Sequence, residues 1–287
     1  MTRRLFIFGL GYCGLEIAKL AKAGGWQVAG TSTTPAKAAR LQSDGIETHV
    51  FDGTAALAPE AFGAASHVLC TVAPGSGGDP ALRMCRNLLR RASWLGYLST
   101  TGVYGDQGGG WVDETTPARP TQPRSVERLA AEHAWRELAR ESGATLEILR
   151  LPGIYGPGRS AIDHVKAGSA RRIDKPGQFF SRVHVEDIAR AALAALARRD
   201  GVEVWNVADD LPASNADVVA HAFELLGLDV PPAIPWERAA PAMTPMARSF
   251  YSESRRVRND RLKRELGVAL KYPTYREGLA AILSGLR

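Results

Sequence analysis

Gly9-x-Gly11-x-x-Gly14 is the stretch whose residue types and spacing point most directly to chemistry. It stands between a short apolar run, Leu5 to Phe8, and a periodic segment, Leu15, Ile17, Ala18 and Ala21. In a strand–turn–helix of this kind the first glycine permits a tight turn. The second lets the backbone approach a pyrophosphate, and the third lets the helix pack closely on the strand. Free N–H groups at the helix start, at the positive end of its dipole, then hold the phosphates. Gly9, Gly11, Tyr12, Cys13 and Gly14 are therefore the expected phosphate-binding loop. Three glycines before a helix are common, and the weight comes from the strand in front of them. Cys13 reads as a small apolar residue rather than as a reactive thiol at a helix N-terminus.

A carboxylate roughly 20 residues past the glycines marks sites that bind the ribose 2′-OH of NAD. Here that region reads Gly30-Thr31-Ser32-Thr33-Thr34, without an acid, and Lys37 and Arg40 follow. Ser32, Thr33 and Lys37 suit a 2′-phosphate, so NADP is favoured over NAD. The competing reading has Ser32 and Thr33 merely capping the helix that begins at Pro35. Asp52, Thr71, Val72 and Ala73, at the ends of the next strands, complete the expected cofactor site. Six scattered histidines and three cysteines (Cys13, Cys70, Cys85) lack metal-ligand spacing.

The elements that position these residues alternate. Strands are expected at 26–30, 46–51, 67–72, 94–99 and 145–149, and helices at 35–42, 81–91 and 126–142. A Gly/Pro-rich loop fills 105–123. Strands alternating with helices at this interval imply parallel β-α-β units, hence an α/β doubly wound parallel sheet of the Rossmann type. Beyond Arg150 prolines and glycines thicken and helices shorten. The reading is a dinucleotide-binding domain over 1–150 and a smaller mixed substrate-binding region over 151–287, with a helix at 185–198 packing back on the first.

At 287 residues, 45% hydrophobic and 23% charged, the chain can bury a full core, and wholesale disorder is excluded. No apolar run is long enough for a bilayer, and Thr2-Arg3-Arg4 leads straight into a strand rather than a signal peptide. An odd cysteine count without metal spacing favours reduced thiols and a cytoplasmic protein. The net charge of +6 is densest at Arg255, Arg256, Arg258, Arg261, Lys263 and Arg264. Glu253, Asp260 and Glu265 interrupt this run and no aromatics interleave, so a solvated face is preferred over a nucleic-acid surface.

Further elements extend the pattern. Leu98-Ser99-Thr100-Thr101-Gly102-Val103-Tyr104-Gly105 resembles the Ser-Ser-x-x-Val-Tyr-Gly element of the extended short-chain dehydrogenase/reductases, which include the nucleotide-sugar epimerases and dehydratases. Asp113-Glu114 with Pro117 resembles that family's acidic-proline loop. Arg150 to Gly158 resembles its Arg-Pro-x-x-x-Tyr-Gly-Pro turn, and Arg182 to Asp187 its Arg-x-x-His-Val-x-Asp element. Trp205-Asn206-Val207 is similar to its Tyr-Asn-Val strand, and the tail from Leu262 onward is also similar. The resemblance spans essentially the whole chain. The glycine loop departs from it, being one residue shorter between the first two glycines.

The resemblance implies a tyrosine general acid/base, a lysine four residues later that lowers its pKa, and a Ser/Thr hydroxyl on the substrate oxygen. Thr100 stands at the hydroxyl position. Aligned on Arg128-Leu129-Ala130-Ala131-Glu132, the lysine falls on Arg128 and the tyrosine on Arg124. A guanidinium stays protonated and cannot exchange a proton in a catalytic cycle. Arg128 can still hold ribose hydroxyls, or it can form an exposed i,i+4 pair with Glu132. Tyr104 and Tyr155 are the candidates for a displaced acid/base, although both positions are ordinarily structural in the family. Thr101, Arg124, Arg150, Arg182 and Arg255 are the expected substrate contacts. His184 is expected as a buried residue at a helix start, with Asp187 fixing backbone. The implied function is an NAD(P)-dependent oxidoreductase or isomerase on a sugar-like or nucleotide-linked small molecule, with a non-standard acid/base. A catalytically inactive cofactor-binding sensor is the alternative. Relatives pair through helices that include 126–142, which suggests a homodimer, but the Arg/Glu-rich face of that helix argues against one.

Overall fold

The computed structural model describes residues 3–199 and 201–285. Strand β1 (Arg4–Phe8) leads through the glycine loop into helix α1 (Tyr12–Ala23), followed by β2 (Gln27–Ser32), α2 (Pro35–Ser43) and β3 (Glu47–Val50). Then come β4 (His67–Cys70), α3 (Pro80–Leu89), β5 (Trp94–Thr100), α4 (Pro123–Ser142) and β6 (Thr145–Leu151). Helix α5 (Val185–Ala195), β7 (Val202–Asn206), α6 (Asn215–Leu225) and α7 (Tyr275–Gly285) follow, with short pieces between them.

The seven strands form one parallel sheet in the order β7-β6-β5-β4-β1-β2-β3. The order reverses between β1 and β4, and in such sheets ligands bind outside the carboxyl ends of the strands at that point. The glycine loop leaves β1 there, and Thr71 and Val72 leave β4 beside it.

Alternation along β1 builds the two faces. Leu5 and Ile7 pack with Ile17, Ala18 and Ala21 of α1 and with Ile188, Ala191 and Ala192 of α5. Phe6 and Phe8 point the other way, onto Phe62, Leu82 and Leu89, in a cluster that includes Trp135 and Leu138 of α4. Both faces of the sheet are thus covered, as a parallel sheet requires. The seventh strand comes from beyond residue 150, and α6, α7 and the helix Ala161–Lys166 build a separate apolar cluster around Tyr155, Ile162, Tyr275 and Leu279. The expected loop over 105–123 contains a two-residue strand, Trp111–Val112, paired with Arg256–Val257. Helix α4 begins at Pro123, three residues before the expected Val126, because proline at the first helical position needs no N–H partner. No helix among the described residues is long and apolar enough to cross a membrane.

The expected surface pair between Arg128 and Glu132 does not form. Glu132 is fully buried and accepts from Ser99 Oγ (2.6 Å), Arg150 Nε (3.0 Å) and Nη2 (2.7 Å), and Arg136 Nη2 (3.3 Å). Burial raises a carboxyl, but the Arg150 hydrogen bonds and charge, with Ser99 and Arg136, outweigh it and hold Glu132 below its usual range. Glu132→Ala leaves Arg150 as an unpaired buried cation and is expected to lower the unfolding free energy by about 3–5 kcal/mol in urea melts. The double change Glu132→Leu with Arg150→Met recovers most of that loss. A single-variant loss below about 1 kcal/mol contradicts a central role for the pair.

Candidate functional site

The glycine loop is pinned from both neighbouring strands. Gly9 N–H donates to Thr31 Oγ1 (2.9 Å) and Leu10 N–H to Thr31 O (2.7 Å), while Thr71 Oγ1 donates to Gly9 O (2.6 Å). Gly9 has a φ of 89°, and a Cβ there would lie 2.7 Å from Thr71 Oγ1. A Cβ on Gly14 would run into the Gly9 carbonyl oxygen. These two glycines are demanded by the protein itself.

Gly11 is different. Its backbone (φ −86°, ψ −156°) suits any residue, and a Cβ there would meet nothing within 4 Å. A side chain at Gly11 would displace only what occupies the cleft. The first-turn N–H groups of α1 have no intrahelical partners and no side-chain cap, and the turn itself contains no acidic residue. This donor set beside an open cradle fits a dinucleotide pyrophosphate.

The cleft continues as a hollow of about 170 Å³ lined by Gly9, Gly11, Thr31, Ser32, Thr33, Lys37, Asp52 and Val72. The cap of α2 is Thr34, whose hydroxyl accepts from Lys37 N (3.3 Å), so Ser32 and Thr33 are not the caps. Lys37 forms no ion pair among the described residues. The hydrogen bonds of the Thr54 hydroxyl and N–H lower Asp52 and keep it ionised at the far wall. Thr71 and Val72 lie at the loop, with Ala73 next along the chain. Tyr12 and Cys13 contribute backbone to the first turn. Burial pushes the Cys13 thiol up to about 11, against a thiolate role. Thr31, which holds the loop from β2, escaped sequence reasoning because a lone strand threonine carries no signal.

At the end of β5, Thr100 Oγ1 accepts from Gly102 N (3.1 Å), which leaves its O–H free to donate. Positions 124 and 128 share a face of α4. Arg128 Nη1 donates to Leu98 O (2.7 Å), two residues before Thr100, and lies 3.4 Å from the Tyr97 hydroxyl. Arg124 is exposed, with its guanidinium 5.3 Å from the Phe250 ring centre and 3.5 Å from Ser249 Oγ. Thr100 and Arg128 thus meet the same end of β5, and Arg124 lies one turn before Arg128 on α4.

Other expected site residues are buried or engaged elsewhere. Tyr104 has no exposure, its hydroxyl donates to Asn206 Oδ1 (2.8 Å), and burial raises its phenol. Tyr155 is buried and donates to Thr274 O (3.3 Å), and burial drives its phenol far up. Both phenols are engaged inside the protein. Thr101 is buried, and Arg150 is spent on Glu132. Arg182, which stands two residues before His184 rather than three, donates to Phe180 O (2.8 Å) and Ala213 O (3.1 Å). Arg255 is held by Gly105 O (2.9 Å) and Glu253 (2.7 Å). In the basic run, Arg261 pairs with Glu203 and Glu265, and Lys263 with Asp210. His184 is buried and caps α5 through Nδ1, and Asp187 accepts the N–H groups of Lys271 and Tyr272.

The family model described as "NAD dependent epimerase/dehydratase family" matches residues 77–208. Protein YeeZ of Escherichia coli K12 is 29% identical over 257 residues, covering 80% of this chain and 86% of that protein. The solved structure of a functionally unknown conserved protein from Silicibacter pomeroyi is 45% identical, covers both chains fully and superposes with a TM-score of 0.89. A UDP-glucuronic acid 4-epimerase from Bacillus cereus, solved in complex with NAD, has 18% identity over 99% of each chain and a TM-score of 0.76, a likeness of fold.

Two alanine substitutions separate the glycines. Gly14→Ala is expected to destabilise the apo-protein in thermal melts, because its Cβ meets backbone. Gly11→Ala should leave the melt unchanged and abolish dinucleotide binding measured by calorimetry; a destabilised Gly11→Ala would show that the cradle is protein-filled.

Proposed function

From the match of residues 77–208 to the NAD dependent epimerase/dehydratase family model, we propose that the chain is a member of that family and binds NADP in preference to NAD. It then acts as an oxidoreductase or isomerase on a carbonyl or hydroxyl of a sugar-like or nucleotide-linked molecule. The observation that carries this reading is the open cradle at Gly11, continuous with a hollow that presents Ser32, Thr33 and the unpaired Lys37 and no acid at the 2′ position. The fold likeness to a nucleotide-sugar epimerase supports the substrate class.

The nicotinamide, when bound, supplies or takes up hydride. The chain's own residues do the rest. Gly11 and the N–H groups of Tyr12, Cys13 and Gly14 seat the phosphates, Lys37 faces a 2′-phosphate, and Asp52 offers an acceptor to the adenine side. Thr100, whose O–H is free, donates to a substrate oxygen. Arg128 is a fixed cation at the same strand end, where it holds ribose hydroxyls or developing negative charge. Arg124 stands at the mouth. Residues 151–287 supply the remaining substrate contacts.

Proton transfer is the open half of the reaction. Thr100, Arg124 and Arg128 are a hydroxyl and two guanidiniums, and the nearby Tyr97 phenol is fully buried, raised by desolvation and beside Arg128. None exchanges a proton readily near neutral pH. A substrate group or water then carries the proton. The same composition favours a second reading, a cofactor-responsive protein without turnover.

Fluorescence titration with NADPH and NADH is expected to show tighter binding of NADPH. Lys37→Ala should weaken NADPH about 10–100-fold, the size of one charge-assisted contact, and leave NADH unchanged. Equal affinities in the unaltered protein would remove the NADP preference. With a panel of nucleotide-sugar and carbonyl substrates, Thr100→Ala should lower kcat/KM, and the pH profile should lack the ionisation of a tyrosine base. No turnover, combined with unequal affinity for oxidised and reduced cofactor, selects the second reading.

A further inference from the structure

The turn Gly156-Pro157-Gly158-Arg159 leans on the glycine loop at Tyr12. Gly156 and Arg159 close it with two backbone hydrogen bonds, 3.2 and 3.0 Å long. Tyr12 Oη donates to Pro157 O (3.1 Å), and Gly156 makes room for that hydroxyl, since a Cβ would run into it. The docking sets the Arg159 guanidinium 5.8 Å from the Tyr12 ring centre. Its charge is felt at both loop residues, where it works against the burial that pushes Tyr12 up to about 12 and Cys13 up to about 11.

A cation therefore stands beside the uncapped first turn of a twelve-residue helix. No carboxylate answers it. Asp163 Oδ2 is taken by Ser160 N (2.8 Å) and Ser160 Oγ (2.6 Å), and Glu16 faces Lys19 at 3.5 Å. The Arg159 side chain is exposed and forms no hydrogen bond or ion pair with any described residue. An exposed guanidinium stacked only on the half-buried Tyr12 would contribute about 0.5–1 kcal/mol.

We propose that Arg159 binds the dinucleotide pyrophosphate, closing over the phosphates that the first turn of α1 seats. The inference rests on the dinucleotide reading above. The loop N–H groups and the guanidinium both address the pyrophosphate, the guanidinium with donors spaced to match two phosphate oxygens. Tyr12 is the positioning residue, because its hydroxyl holds the turn that carries Arg159. This division of labour separates two cations. Arg159 addresses the group that NAD and NADP share, and Lys37 the group that distinguishes them.

Calorimetric titration of the full chain with ADP-ribose, NADH and NADPH tests it. Arg159→Gln should weaken all three by a similar factor of about 10–100, and Arg159→Lys should keep part of the affinity. The apo melting temperature should move by no more than a few degrees, since the side chain is exposed and stacks only on Tyr12. Lys37→Ala serves as the contrast, weakening NADPH alone. If Arg159→Gln binds ADP-ribose as tightly as the unaltered protein, the role of Arg159 is overturned while the dinucleotide reading stands. If the unaltered protein binds none of the three, both fall.

Discussion

The buried pair of Glu132 with Arg150 ties several elements of this fold together. Glu132 comes from the middle of α4, Arg150 from β6, and Ser99 of β5 adds its hydroxyl to the same carboxylate. Arg150 in turn lies 4.9 Å from the ring centre of Tyr104, whose hydroxyl reaches Asn206 on β7. Two desolvated charges are tolerable only when their hydrogen bonds are complete, so the geometry of all four elements is constrained at once. That constraint decides where Thr100 ends its strand and which face of α4 turns toward it. It also commits the side chains of Arg150 and Tyr104 to partners inside the protein.

The cofactor cleft obeys a different rule, that of close approach. Thr31 and Thr71 hold the loop by its backbone, and Gly9 and Gly14 bring strand, turn and helix nearer than any Cβ allows. What remains at Gly11 is a space bounded by donors. A rigid cradle of this kind binds by preorganisation, because the N–H groups are already oriented before a ligand arrives.

At the carboxyl end of the sheet three arginines recur. Arg124 and Arg128 come from one helix face, and Arg159 from the turn that docks on Tyr12. Such groups orient anions and stabilise charge, and they do so at every pH the protein meets, but they do not shuttle protons. The neutral histidine nearest this region, His184, is depressed to about 4 chiefly by burial and serves as a helix cap. The site is thus built for binding and electrostatics first.

Much of the fold was legible in the residues alone. Alternating apolar runs and helical periods implied a parallel doubly wound sheet, and the glycine spacing located the loop, because both depend on local geometry repeated along the chain. The absence of an acid after β2 was likewise readable, since it concerns residue types at a known distance from the loop. The roles of single polar residues were not. A surface pair with Arg128 was one of two readings open for Glu132, and Tyr104, Tyr155, Thr101 and Arg150 read as site residues. Burial and partner are properties of the assembled layers, and spacing within one helix or strand cannot report them. Arg159 shows the same limit from the other side. In sequence it is one more arginine after a Gly-Pro-Gly turn, and only the docking of that turn against Tyr12, 147 residues away in the chain, sets its charge beside the loop.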